Sequence, residues 1–266
     1  EDIASIDNHI GLSGITAYHL LQGNLAVDNT VTTQGFNTTL YTGNGSTQSI
    51  STSIDMSTQW GNDVSEQFGG LVWLKGRSSS VDHYLFDTAR GVQKGIWTSL
   101  TDAQYTYSNA LSLFNNNGFT LGSETGTNYS AITYASWNFQ TTHRVSGTTN
   151  HGKAYTCHFN PFTGFTIVKY EGSGIAGHEI PHHLGRKLGF VTIKILSAVQ
   201  GWITGINTLK GAGFLQLNLT DAFASQNDIS NNWFPTSLNT DTTICSGANN
   251  ILDSTATSQY IMYGWA

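Results

Sequence analysis

The apolar residues of this chain fall in short groups divided by glycine and asparagine turns, a pattern that predicts strands rather than helices. From Gly35 to Gly45 a β-prone run ends in a Gly-Asn-Gly turn, and one more strand is expected between Ser49 and Met56 inside an otherwise polar stretch. Gly70 to Lys75 reads Gly-Leu-Val-Trp-Leu-Lys, the continuous apolar run of a strand buried on both faces. His83 to Asp87 follows as another strand, Ile96-Trp97 as a shorter one, and the turn Asn115 to Gly118 leads into Phe119-Thr120-Leu121. Tyr134 to Phe139 closes the series. Before it, Ile10 to Leu25 carries short apolar groups broken by Gly11, Gly14 and Gly23, which predicts a strand-and-loop lead-in.

The series is then written a second time. Gly164-Phe165 and Tyr170 to Gly174 match Gly35-Phe36 and Tyr41 to Gly45 without a gap. Gly189 to Lys194 matches Gly70 to Lys75, and Tyr260 to Trp265 matches Tyr134 to Phe139 with aromatic residues at the first, fourth and sixth places. The offsets are 129, 119 and 126 residues, in the same order along the chain. The pattern therefore predicts an all-β protein of two related β-sandwich units, lectin-like or jelly-roll-like, from an internal duplication. Residues 1–34 form the lead-in, 35–140 the first unit, 141–163 a polar linker and 164–266 the second unit. Both copies keep turn glycines and strand apolars, which is scaffold. They share no histidine, carboxylate pair or serine at matched places, so any site is expected in the unmatched loops or between the copies.

Composition agrees with this class. Charged residues make up only 11% of the 266 positions, and serine, threonine, asparagine and 29 glycines take their place, as in extracellular or virion all-β proteins. The net charge of −6 comes without any basic run, so no nucleic-acid partner is expected. No apolar run approaches a membrane span, so no membrane insertion is expected. A start at Glu1 rather than Met fits a fragment or a processed product. Cys157 and Cys245 allow a disulfide or two buried thiols. Asn37, Asn44, Asn128 and Asn218 each head an N-x-Ser/Thr sequon, a recurrence close to chance in so asparagine-rich a chain.

The string that looks most catalytic is His178-Glu179-Ile180-Pro181-His182, which fits H-E-x-x-H. In zinc metalloproteases that motif works because it is helical: two histidines one turn apart bind the metal and the glutamate activates its water. Pro181 sits inside the motif, where a helix would lose a hydrogen bond and about 3 kcal/mol. Gly172, Gly174 and Gly177 crowd the approach, and the third ligand position of the extended motif is Leu188. The segment reads better as a strand ending at Ile180, a Pro-His-His-Leu-Gly turn, and a strand from Gly189. No metal is expected, with His178, His182 and His183 as the candidates if one binds, on a surface loop that the first copy lacks.

The remaining chemistry is sparse. Alternation puts Asp82 and His83 on opposite faces of a strand, so with Asp87 they make no hydrolytic set. His143, His151 and His158 lie in the linker without ligand spacing, and no sequence feature selects two carboxylates for glycoside hydrolysis. Trp73, Trp137 and Trp265 read as core. Trp60, Trp97, Trp202 and Trp233 lie in looser regions. A tryptophan on a polar loop beside asparagine and aspartate is how sugar rings are held, so Trp60, Asn62, Asp63, Asn232 and Trp233 are the candidate ligand residues. No cofactor and no catalytic residue is expected.

Tyr41-Thr-Gly-Asn-Gly-Ser, Leu71-Val-Trp-Leu-Lys-Gly-Arg-Ser and His83-Tyr-Leu-Phe-Asp-Thr-Ala-Arg-Gly together resemble a repeat of phage tail-fibre and other virion proteins, particularly of marine phages. Asn117-Gly-Phe-Thr-Leu-Gly-Ser and Tyr134-Ala-Ser-Trp-Asn-Phe resemble its continuation. Gly164-Phe-Thr-Ile-Val-Lys-Tyr and Ile180-Pro-His-His-Leu-Gly resemble the opening of its second half. The resemblance covers residues 35–265. It implies an adhesive virion component with a lectin-like β-sandwich, extracellular, binding a host-surface glycan or receptor, meeting other virion proteins and assembling as a homo-oligomer, most simply a trimer. It carries over no catalytic residue. In the family the place of His183 is usually glycine and that of Glu179 is variable, which implies that H-E-x-x-H is an accident of a turn. A polysaccharide-degrading virion enzyme and a purely structural virion protein are the alternatives.

Overall fold

The computed structural model describes residues 35–57, 68–206, 213–225, 239–246, 253 and 256–266, and among them the protein is all-β apart from one short helix. The first half runs β1 (Phe36–Thr42), β2 (Gln48–Ser51), β3 (Gly69–Gly76), β4 (His83–Asp87), β5 (Lys94–Trp97), β6 (Tyr105–Thr106), β7 (Leu111–Asn115), β8 (Gly118–Leu121), α1 (Thr125–Asn128) and β9 (Thr133–Thr141). The second runs β10 (His143–Thr148), β11 (Ala154–Asn160), β12 (Phe165–Glu171), β13 (His178–Pro181), β14 (Phe190–Ile195), β15 (Ile203–Ile206), β16 (Gly213–Gln216), β17 (Ala224–Ser225), β18 (Thr243–Ser246) and β19 (Gln259–Trp265). Every strand pair is antiparallel, with the order β1-β9-β3-β4-β5-β6 in one large sheet and β10-β11-β12-β19-β14-β15-β16-β17 in the other.

Alternation of side chains along a strand gives each large sheet two faces to cover. One face of the first sheet packs Val72, Leu74 and Phe86 on Ile50, Leu111 and Phe119, which belong to a small sheet of β2, β8 and β7. One face of the second packs Val168, Ile193 and Met262 on Ile180 and Ile244 from the β13–β18 pair. The remaining faces meet each other. Leu71, Leu85 and Ile96 share a buried cluster with Phe165, Ile167, Ile261 and Tyr263. Polar contacts pin this seam: Tyr263 Oη donates to Asp87 Oδ2 at 2.6 Å, inside the buried Asp87–Arg90 ion pair, and Trp202 Nε1 donates to the Trp97 carbonyl at 2.6 Å. The all-β sandwich expected from the sequence is thus present as two sheet pairs that also share this third buried cluster.

Strand order repeats register by register. Phe36 opposes Phe139 as Phe165 opposes Trp265, and Leu71 opposes Phe139 as Phe190 opposes Trp265. Leu85 opposes Ile96 as Thr204 opposes Leu215. Tyr41 stacks on Tyr134 at 5.0 Å and Tyr170 on Tyr260 at 5.1 Å. Ile50 opposes Phe119 as Ile180 opposes Ile244, so β13 is the counterpart of β2 and the first half does hold a strand there.

Residues 141–163, expected as linker, are instead the β10–β11 hairpin, paired through β11 to β12. Its inward positions, Tyr155, Cys157 and Phe159, alternate with polar residues, and threonine and histidine supply much of the rest. Such a two-residue period is faint when few of its members are aliphatic. The lead-in 1–34 lies outside the described residues.

Candidate binding cleft

Trp60, Asn62, Asp63, Asn232 and Trp233 lie outside the described residues. Trp97 and Trp202 are buried, at 7% and 0% exposure, and serve the core. Trp73, Trp137 and Trp265 are only half-buried. Cys157 and Cys245 are both buried and are not joined in a disulfide.

The H-E-x-x-H segment is extended, as Pro181 predicts, and its histidines diverge. His178 and His182 are both fully buried rather than on a surface loop, because β13 belongs to the small sheet that packs on the second large sheet, and His182 follows it directly. His182 Nε2 lies 3.3 Å from the Thr240 carbonyl, and burial lowers its pKa to about 4. Glu179 is exposed. His183 adopts φ 56, the left-handed region that favours glycine, with its Nε2 2.9 Å from Tyr155 Oη. Among the described residues no three His, Cys, Asp or Glu side chains converge as metal ligands.

His178 belongs to a group that sequence patterns did not reveal. Its Nδ1 lies 3.1 Å from Asp253 Oδ1 and its Nε2 2.7 Å from Thr149 Oγ1. Carboxylate, imidazole and hydroxyl stand in the order of an acyl-transfer relay. The first half explains them differently. There Asn128 Oδ1 accepts from Asn44 N at 3.1 Å and its carbonyl from Gly45 N at 2.8 Å. In the second half Asp253 Oδ1 accepts from Ser173 N, and its carbonyl from Gly174 N at 2.7 Å. Gly45 and Gly174 both have φ 71. Gln48 occupies the register place of His178. The Asp253 group is therefore a turn clip whose first-half version is neutral, and both His178 and Asp253 are fully buried, away from any substrate.

An open concavity lies instead at the end of the first sheet, where a cleft of about 390 Å³ separates the turn after β3 from α1 and its exit. Ser79, Ser80, Val81 and Asp82 form one wall, Thr125, Gly126, Tyr129 and Ile132 the other, and Tyr84 lies between them. Pairing of β3 with β9 brings these walls together, since Gly76 opposes Tyr134 at the sheet's end. Ser78 Oγ accepts from Thr133 N at 2.9 Å and ties them. Tyr134 Oη accepts from Tyr129 N at 3.0 Å and donates to the Thr125 carbonyl at 3.2 Å, holding the second wall. Gly126 is needed for close approach, because a Cβ there would stand 2.1 Å from Tyr84 Oη.

Tyr129, Asp82 and Tyr84 face the cleft. Tyr129 is 54% exposed. Asp82 uses Oδ1 to accept from Ser99 Oγ at 3.0 Å, while Oδ2 has no donor among the described residues. Tyr84 is 8% exposed. Its pKa is raised by burial first, with a hydrogen bond from the Trp97 side chain pulling it back and the negative charges of Glu124 and Asp82 adding to the rise, so the hydroxyl stays protonated. Glu124 is committed to α1, with Oε1 accepting from Gly126 N at 3.4 Å. On the opposite face of the sheet, Trp73 Nε1 donates to His83 Nδ1 at 3.0 Å, which keeps Asp82 and His83 apart as alternation requires. The cleft was not visible in the sequence. Its two walls are ordinary polar loops nearly fifty residues apart, with no spacing that marks them.

Comparison with curated proteins and with solved structures gives no match for the chain. A family model described as a domain of unknown function (DUF7483) matches residues 31–266, and the chain belongs to that family.

Proposed function

We propose that the protein is a virion fibre or spike component that binds a glycan on the host surface, and that the cleft beside Tyr129 receives it. The observation that carries the binding reading is the exposed Tyr129 ring set next to hydroxyl and carboxylate groups that the fold leaves uncommitted. A sugar presents an apolar C–H face to stack on an aromatic ring and hydroxyls for convergent polar groups, and such mixed clefts are the usual form of small-ligand sites. The virion setting rests on the resemblance of the Tyr41–Ser46, Leu71–Ser78 and His83–Gly91 motifs. Trimeric assembly is part of the same proposal, since it would give multivalent attachment.

The test is binding of purified protein to host cells and to their surface polysaccharide. Tyr129→Ala is expected to lower affinity about tenfold, the loss of one aromatic contact. Unchanged binding by that variant sinks the cleft as the site. New reducing ends or a fall in polysaccharide viscosity would replace adhesion by degradation. No binding at all, with the trimer intact by sedimentation, would leave a structural role.

A further inference from the structure

Resting on that reading of the cleft, we infer that the ligand it selects is a sugar carrying a free, protonated amino group. The charges that reach the cleft's base are carboxylates. Asp82 lines one wall with Oδ2 open, and Glu124 stands beside Thr125 at the other. Both act on the Tyr84 hydroxyl with the same negative sign. No lysine, arginine or histidine lines the cleft.

Chemistry then separates three kinds of sugar. A uronic or sialic acid would bring a third negative charge into this field and meet no cation. A neutral or N-acetylated sugar would use Tyr129 and the hydroxyls but leave Asp82 Oδ2 with water. An ammonium group gains both remaining interactions: a charge-assisted hydrogen bond to Asp82 and attraction to the face of the exposed Tyr129 ring. Tyr84, which is 8% exposed between the two walls, can donate its hydroxyl proton to a sugar oxygen.

The experiment measures three soluble oligosaccharides by calorimetry on the full chain: glucosamine oligomers, their N-acetylated counterparts and galacturonic acid oligomers. At about pH 6, where the sugar amine is protonated, the amine is expected to bind about tenfold tighter than the acetylated form, with no measurable binding of the acid. Raising salt from roughly 0.02 to 0.3 M should shrink that preference severalfold. Asp82→Asn keeps an acceptor for Ser99 and should reduce the amine-to-acetyl ratio to about twofold. Glu124→Gln keeps the α1 cap through its carbonyl and should reduce it partly. Equal or tighter binding of the acetylated or acidic oligomers overturns the inference while leaving a sugar site standing. A ratio unmoved by Asp82→Asn in a variant of unchanged melting temperature also overturns it. Binding of none of the three sinks the sugar site and this inference together.

Discussion

The strands common to the two halves follow one order and repeat several facing pairs, although the second half adds the β10–β11 hairpin and has no counterpart of β7 among the described residues, and the halves place different chemistry on that frame. At the turn clip the first half uses the amides of Asn44 and Asn128, with Gln48 at the register place of His178, and the second uses Ser173, His178 and Asp253. On the central strands the first half buries Ser136 and Asn138 where the second buries Met262 and a glycine. The open cleft belongs to the first half, between its β3–β4 turn and α1. A repeated backbone thus constrains turns and packing, while side chains at matched places are free to become titratable, neutral or ligand-facing.

The largest test of that comparison is at Asp253. Asp253→Ala removes the acceptor of Ser173 N, Ser173 Oγ and His178 at once, and leaves His178 buried without its partner. Breaking such a pair is expected to cost about 3–5 kcal/mol in chemical denaturation. The double substitution His178→Gln with Asp253→Asn installs the first half's amides and is expected to cost about 1–2 kcal/mol. A double variant as unstable as Asp253→Ala would mean that the clips are not interchangeable and that the charge itself matters.

Acid is the second test, because the second half holds the buried imidazoles. Only His83 lies in residues 35–140, whereas six histidines lie beyond them. Burial lowers His158 to about 4, with Arg144 adding to the effect, and burial lowers His182 to about 4. Both stay neutral in the fold while the unfolded chain protonates near 6.5. Stability from each is therefore complete above about pH 6.5 and lost as pH falls to about 4, by roughly 3 kcal/mol per group. His182→Gln should remove close to half of that slope. His158 sits at the seam, with Nδ1 2.8 Å from Thr88 Oγ1, so its protonation loosens the contact between halves as well. A stability curve flat between pH 6.5 and 4 would rule out both.

These features were unequally legible in the sequence. Gly70–Lys75 could be read because a strand buried on both faces is a continuous apolar run, and Tyr134–Phe139 because its aromatic positions recur at Tyr260–Trp265. The extended course of His178–Pro181 followed from Pro181 together with the glycines before it. The burial of His178 did not follow, because its partners Asp253 and Thr149 lie 75 and 29 residues away and share no pattern with it. The β10–β11 hairpin was hidden by polar composition. The cleft was hidden by topology: only the pairing of β3 with β9 turns Ser79–Asp82 and Thr125–Ile132 into facing walls.

The smallest expected effect sharpens what the cleft adds to the shared scaffold. Tyr41 and Tyr134 stack as Tyr170 and Tyr260 do, so the rings are scaffold. The hydroxyls of the first pair do something further: Tyr41 Oη donates to the Thr127 carbonyl at 2.6 Å, and Tyr134 Oη bridges Tyr129 N and the Thr125 carbonyl. Both clamp α1, the wall that carries Tyr129. Tyr134→Phe keeps the stack and loses the clamp, so it is expected to cost only about 1 kcal/mol of stability. Ligand affinity is expected to fall severalfold, because Tyr129 would no longer be held in place before binding. Calorimetry and a denaturant curve on this one variant separate the two. If stability drops and affinity does not, the clamp serves folding alone, and the first half's hydroxyls are as purely structural as its rings.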